Sequence, residues 1–242
     1  MQSRNFRLQK VGDINWLQKN FKLKELAYSL DELIILNARS ENSSIKDFSE
    51  MIGELVDEVF IPIAAGGGVK SMKDAQLLFN NGADKIVVNS ILHEDTKLVS
   101  SLIKKYGSQS VIASLDYKKE NNIFDVYINN GTKKIEFSLE EHLKNIEKLN
   151  VGEIYLNCID RDGTGFGYDF DAVNKYYLLN KTPIIIAGGA GNQDHFHEGL
   201  KHKSINAVAT ANLFNFIGDG LAKSRRFLIN RKNNLADWDV FN

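Results

Sequence analysis

The chain has little of what staples or punctuates a fold. Its one cysteine, Cys158, excludes an internal disulfide, and only two prolines occur in 242 residues. An excess of charge of one sign is also missing. The 30 basic and 31 acidic side chains leave a formal charge of -1, which argues against the electrostatic footprint of nucleic-acid binding. No apolar run is long enough to span a bilayer, and MQSRNFRLQKVGD lacks the apolar core of a signal peptide. The expectation is a soluble, cytoplasmic protein with no membrane association. A composition that is 43% hydrophobic can bury one large core, and no linker-like segment divides it. One domain over residues 1–242 is expected.

What is present is a recurring alternation. Seven apolar runs of strand length stand out: 33–37, 61–65, 84–89, 111–115, 153–157, 183–187 and 206–210. Helical spacing follows in stretches such as IKDFSEMIGELVDEV, MKDAQLLFNNG, TKLVSSLIKKYG, LEEHLKNIEKLN and FDAVNKYYLLN. Strand then helix, repeated, predicts an α/β fold with a parallel sheet covered on both faces.

The two halves of the chain read as copies. The run from Ile61 to His93 lies on the run from Thr182 to Phe214 at a shift of about 121, with one extra residue near Lys203. Pro62 falls on Pro183, Gly67 on Gly188 and Glu32 on Glu153. A duplicated half of four strand–helix units, with its boundary near 107–110, predicts a (β/α)8 TIM-type barrel. The shift also sets Asp116, which closes VIASLD, on a strand whose counterpart falls before Met1. The first strand is therefore expected to be missing, unless MQSRNFRLQ lies in its place.

Each half carries a glycine-rich turn between strand and helix, AAGGGVKSM and AGGAGNQ. Glycines let backbone N–H groups face an anion, and the following helix adds its positive N-terminal end. The next strand in each half ends in a small polar pair, Asn89-Ser90 and Ala211-Asn212. Two anion sites across one barrel mouth suggest a substrate with a phosphate at each end; glycines serving tight turns alone are the competing reading. NCIDRDGTGFGYD, 157–169, places Asp160 and Asp162 just past a strand, with Gly163 and Thr164 as further anion donors. Turn chemistry explains such a run equally well.

AAGGGVKSMKDA, GADKIVVNS, SLIKKYGSQSVIASLD, IDRDGTGFGYD, IIAGGAGNQDHF and NLFNF together resemble the HisF family, the cyclase subunits of imidazole glycerol phosphate synthase. The sister isomerase family shares the half-barrel repeat and the RDGT run, but IDRDGT followed by GYD is similar to the cyclase pattern. The resemblance implies a barrel that takes ammonia from a separate glutaminase subunit and uses it on a bisphosphorylated ribonucleotide. Carried over, Asp116 matches the catalytic aspartate of the fifth strand. Gly67, Gly68, Asn89 and Ser90 match one phosphate site; Asp162, Gly163, Gly188, Gly189 and Asn212 match the other, with Asn212 where the family has serine. No cofactor and no metal are implied.

Glu32, Lys85 and Glu153 each stand at the start of an apolar strand, so they should ring the barrel floor. Buried charges gathered there are expected to pair. By resemblance they match three of the four members of the gate that admits ammonia from the glutaminase; charges that merely cap the floor are the structural alternative. The departures bear on the reaction. The second catalytic aspartate and the gate arginine belong to the absent strand, Asn37 replaces an aspartate, and Gln2 replaces a lysine on the closing loop. Little cyclase activity is expected. The pattern resembles cyclase-like paralogues of bacterial surface-sugar pathways, ahead of the histidine-pathway cyclase itself and of an inactive scaffold barrel.

Other candidates fit less well. His195, His197 and His202 sit at spacings that do not gather on one helix face, so a solvated helix is expected in place of a metal site. Cys158 should point away from the lumen as a buried thiol. The stretch from Tyr117 to Phe137, with NNG within it, reads as a hairpin whose acids and lysines are solvated. Seven strands leave two sheet edges, which favours association with a partner.

Overall fold

The computed structural model describes residues 2–4, 7–9, 15–16, 28–38, 44–176, 181–211 and 219–237. Its elements run β1 (Gln2–Arg4), β2 (Arg7–Gln9), β3 (Leu33–Leu36), α1 (Ile45–Val56), β4 (Ile63–Gly66), α2 (Met72–Asn80), β5 (Lys85–Val88), α3 (Ile91–Glu94) and α4 (Thr96–Tyr106). The second half holds β6 (Val111–Glu120), β7 (Ile123–Ile128), β8 (Lys133–Ser138), α5 (Leu139–Leu149), β9 (Glu153–Cys158), α6 (Phe170–Tyr176), β10 (Ile184–Ala187), α7 (Gln193–Lys201), β11 (Ala207–Val208) and α8 (Gly220–Asn230).

All seven predicted strands form, parallel and in the order β3-β4-β5-β6-β9-β10-β11. This is the TIM-type arrangement that the alternation predicts. β1 and β2 pair antiparallel with each other in a separate sheet, so the described residues of MQSRNFRLQ do not join the main one. Among the described residues β3 and β11 are the two ends of the parallel path. β7 and β8 extend β6 as an antiparallel hairpin, as the 117–137 stretch predicts. Its turns use left-handed residues, Asn121 and Asn122 at one end and Asn129, Asn130 and Gly131 at the other. Asparagine and glycine tolerate that conformation where other side chains do not.

Period-2 alternation splits each strand between two environments. Ile34, Ala64, Val87, Ile112, Tyr155, Ile185 and Ala207 come one from each parallel strand and pack together as an inner layer. The other face packs on the helices in one large cluster. In α1 the buried residues Phe48, Ile52 and Leu55 recur at helical spacing, and Ser44 caps the start by accepting the Lys46 and Asp47 N–H groups. α5 begins with a reciprocal capping box between Ser138 and Glu141. Such caps fix where each helix leaves the sheet, and hence where each loop at the rim begins.

The internal similarity has a counterpart in hydrogen bonds. Leu33 N–H donates to the Pro62 carbonyl, and Ile154 N–H donates to that of Pro183. Asp84 Oδ2 accepts from Ile63 N–H, and Asn206 Oδ1 accepts from Ile184 N–H. The second pair is offset by one residue more than the first, consistent with an insertion near Lys203.

Candidate functional site at the two ends of the strands

Parallel strands put all their C-terminal ends on one rim, and Asp116 stands there. The sequence places it at a strand tip, but β6 continues to Glu120 into the hairpin, so Asp116 is held within a strand on both sides. Register sets it beside Asn157 on β9. Asn157 Nδ2 donates to its Oδ1 at 2.9 Å, and Asn89 Nδ2 donates to its Oδ2 at 3.1 Å. Burial pushes this carboxyl up to about 6; the negative charge of Asp162 adds to the rise, while the two amide donors oppose it. Both oxygens are thus oriented, and the group can hold or release a proton near neutral pH.

Asp162, Gly163, Gly188 and Gly189 come together around one cavity, joined by Tyr155, Ala187, Ala190, Ala209, Thr210 and Ala211. Gly188 has φ 84° and its missing Cβ would meet the Cys158 carbonyl oxygen at 2.6 Å, so glycine is required both by conformation and by close approach. Thr210 Oγ1 is buried there with no hydrogen-bond partner among the described residues. Tyr155 is pushed well up by burial, then by Asp116 and Asp162. Asn212, expected to complete this set, lies outside the described residues.

Gly67 and Gly68 follow β4, and Asn89 and Ser90 follow its neighbour β5; the register brings these ends side by side. The side chains of Asn89 and Ser90 are already engaged. Asn89 Nδ2 binds Asp116 and the Ser114 carbonyl. Ser90 Oγ donates to Asn129 Oδ1 at 3.1 Å on the hairpin turn. What this corner leaves for an anion is therefore mainly backbone.

At the opposite ends of the strands, Lys85 Nζ lies 2.7 Å from Glu32 Oε2 and 2.9 Å from Glu153 Oε1. All three side chains are only partly exposed. Burial raises the Glu32 pKa, with Lys85 opposing. Burial works against the Lys85 charge, but its bonds to both carboxylates outweigh it, and its pKa is raised. Glu32 Oε1 is buried with no partner among the described residues. The three charges expected at the floor are thus one cluster, two repeat-related carboxylates clasping a central ammonium.

A family model described as "Histidine biosynthesis protein" matches residues 18–218. The chain belongs to the histidine biosynthesis protein family. Among curated relatives, a Parasynechococcus marenigrum protein named provisionally as imidazole glycerol phosphate synthase subunit hisF2 is 43% identical over 92% of this chain and 83% of its own. The imidazole glycerol phosphate synthase subunit HisF of Pyrobaculum aerophilum is 35% identical over 83% and 79%, and that of Chlorobium limicola 34% over 88% and 84%. The HisF resemblance of the motifs therefore extends over most of the chain.

Several residues around the two ends of the strands differ from expectation or were not legible. Asp160 and Asp162 diverge: Asp160 Oδ2 accepts the Lys119 N–H, leaving Asp162 at the cavity. Asn37 ends up at the rim, its N–H donating to the Gly66 carbonyl. Gln2 lies in β1, and its side chain is outside the described residues. Cys158 is buried as expected, and burial, then Asp169, push its thiol up to about 11. His195, His197 and His202 bind separate partners, and no group of three His, Cys, Asp or Glu among the described residues is placed for a metal. His197 and Asp125 are buried, against the expectation of solvated groups: His197 packs under α8 against Asn233, and Asp125 takes Lys134 as partner. No described helix is long and apolar enough to cross a membrane.

Proposed function

We propose that this chain, as a single barrel domain, receives ammonia from a glutaminase subunit docked on its floor and delivers it to a phosphorylated small molecule at its mouth. The observation that carries the reading is the clasp of Lys85 by Glu32 and Glu153 at one end of strands that hold Asp116 at the other. The cluster sets a single ammonium between two carboxylates at the floor, a plug that a docked partner could displace. The glycine turns at Gly67-Gly68 and Gly188-Gly189, with Asn89, Ser90, Asp162, Gly163 and Asn212, are the proposed phosphate contacts. Asn37, where the resemblance implies an aspartate, supports a cyclase-like paralogue that assists amidation in surface-sugar biosynthesis.

A second reading, cyclase activity of the histidine pathway, is favoured by the Asp116 carboxyl near 6 and by the names of the relatives. One experiment separates them. The protein is mixed with candidate glutaminases and glutamine hydrolysis is followed with and without the bisphosphorylated ribonucleotide. Activation without use of the nucleotide supports the first reading. Release of imidazole glycerol phosphate, abolished by D116N, supports the second. Failure to activate any glutaminase, together with no turnover on ammonium, overturns both.

A further inference from the structure

The β7–β8 hairpin is fastened to the segment after β5 at three successive points. Ser90 Oγ donates to Asn129 Oδ1 at 3.1 Å and accepts the Asn129 N–H at 3.4 Å. His93 Nε2 stands 3.4 Å from Glu136 Oε2, with its ring edge-on to Phe137 at 5.7 Å. Glu94 Oε1 lies 3.9 Å from Lys133 Nζ. Ser90, His93 and Glu94 share one face of a helical turn by their spacing of three and four. Their partners span the hairpin from its turn into β8. Asn129, Asn130 and Gly131 have φ of 54°, 56° and 72°, a backbone that presents the Asn129 amide in one fixed orientation.

A hairpin can be anchored anywhere on a barrel rim, and contacts of this exposed kind are individually weak. The choice of anchor is what carries weight. Ser90 has one hydroxyl proton, and the hairpin holds it. An anion arriving at Gly67, Gly68 and Ser90 either takes that proton from Asn129 or is met by the N–H groups of a segment that the hairpin holds in place. Both routes tie occupancy of this corner to the state of the hairpin.

We propose that Asn129 and Glu136 are positioning residues of the first phosphate site, acting through Ser90 and His93. This rests on the reading of that corner as a phosphate site. Coupling between two parts of a protein is reciprocal, so phosphate steadies the hairpin to the extent that the hairpin favours phosphate. The other corner, around Asp162 and Gly188, is tied to β6 instead, where the Lys119 N–H donates to Asp160 Oδ2, and serves as an internal control.

Hydrogen exchange of the whole chain with and without inorganic phosphate tests this, in the wild type, N129G and E136Q. N129G removes the amide while tolerating the left-handed backbone, and E136Q removes the charge while keeping shape. In the wild type, phosphate is expected to slow exchange at 67–72, 89–95 and across 123–138. In the variants, protection of the hairpin is lost and phosphate affinity at 67–72 and 89–95 falls by about fivefold, the low end of measured couplings, with the segments 162–164 and 188–191 unchanged. Protection at 67–72 with none at the hairpin, or variants that bind as the wild type does, overturns the coupling alone. No protection at 67–72 and 89–95 in the wild type overturns the phosphate reading of that corner and the coupling with it.

Discussion

Arg225 on α8 forms a bidentate ion pair with Asp31, Nη1 to Oδ2 at 3.1 Å and Nη2 to Oδ1 at 3.0 Å. It links the helix after the last parallel strand to the loop before the first. The guanidinium is 6% exposed and also donates to the Ala236 carbonyl, whereas the Asp31 side chain is 61% exposed. The pair is therefore asymmetric. D31A leaves a buried cation with too few acceptors and should cost about 2–3 kcal/mol. R225M leaves a carboxylate that water can reach and should cost about 1–2 kcal/mol. Urea denaturation of both variants checks the order; R225M being the more damaging would show that packing, not charge, holds this corner.

Asp116 sets a pH dependence of known sign. Its folded pKa of about 6 lies above the ordinary aspartate value near 3.9, so the folded state binds the proton more tightly. Folding is unaffected by this group below pH 4 and increasingly penalised as pH rises through 6, by about 2–3 kcal/mol once the group is ionised. D116N should remove that penalty, offset in part by the cost of setting an amide against two amide donors, for a net gain of about 1–2 kcal/mol at pH 7.5. Stability curves at pH 4.5 and 7.5 check it: the gain should shrink at the lower pH, and an equal gain at both would point away from ionisation.

Neighbouring glycines should respond differently to alanine. A Cβ on Gly67 would meet the Asn37 carbonyl oxygen at 2.4 Å, while one on Gly68 meets nothing within 4 Å; both have φ of 88°. G68A then carries only the left-handed strain of about 1 kcal/mol, and G67A adds a backbone clash for a total of roughly 3 kcal/mol or more. Thermal melts of the pair decide, and similar losses would mean that the strand ends separate freely.

Cys158 should be silent in the folded protein. It is 2% exposed, and its thiol is pushed up to about 11. A disulfide exchange reagent at pH 8 should react at the rate of unfolding, and quickly in urea. Fast reaction of the native protein would place β9 in an open state.

The strands and helices were legible because burial writes a period into the sequence: IAA and IIIA must face a covered sheet, and Phe48, Ile52 and Leu55 must share a helix side. Gly67 and Gly188 were legible as tight turns for the same local reason. That the Asn89 amide also binds Asp116 was not legible; it does so because β5 and β6 are neighbours and the carboxylate is a strong acceptor. Arg225 gave no signal at all, since its partner lies far away along the chain.

The sequence by itself determined the parallel α/β class, the internal copy and the identity of the residues at each end of the strands. These depend on local pattern and on short spacings that hydrophobic burial enforces. Only the tertiary structure decided which of those residues meet. Lys85 between Glu32 and Glu153, Asp116 between Asn89 and Asn157, and the hairpin on Ser90 are set by strand register and barrel curvature, which bring together side chains that no local period relates.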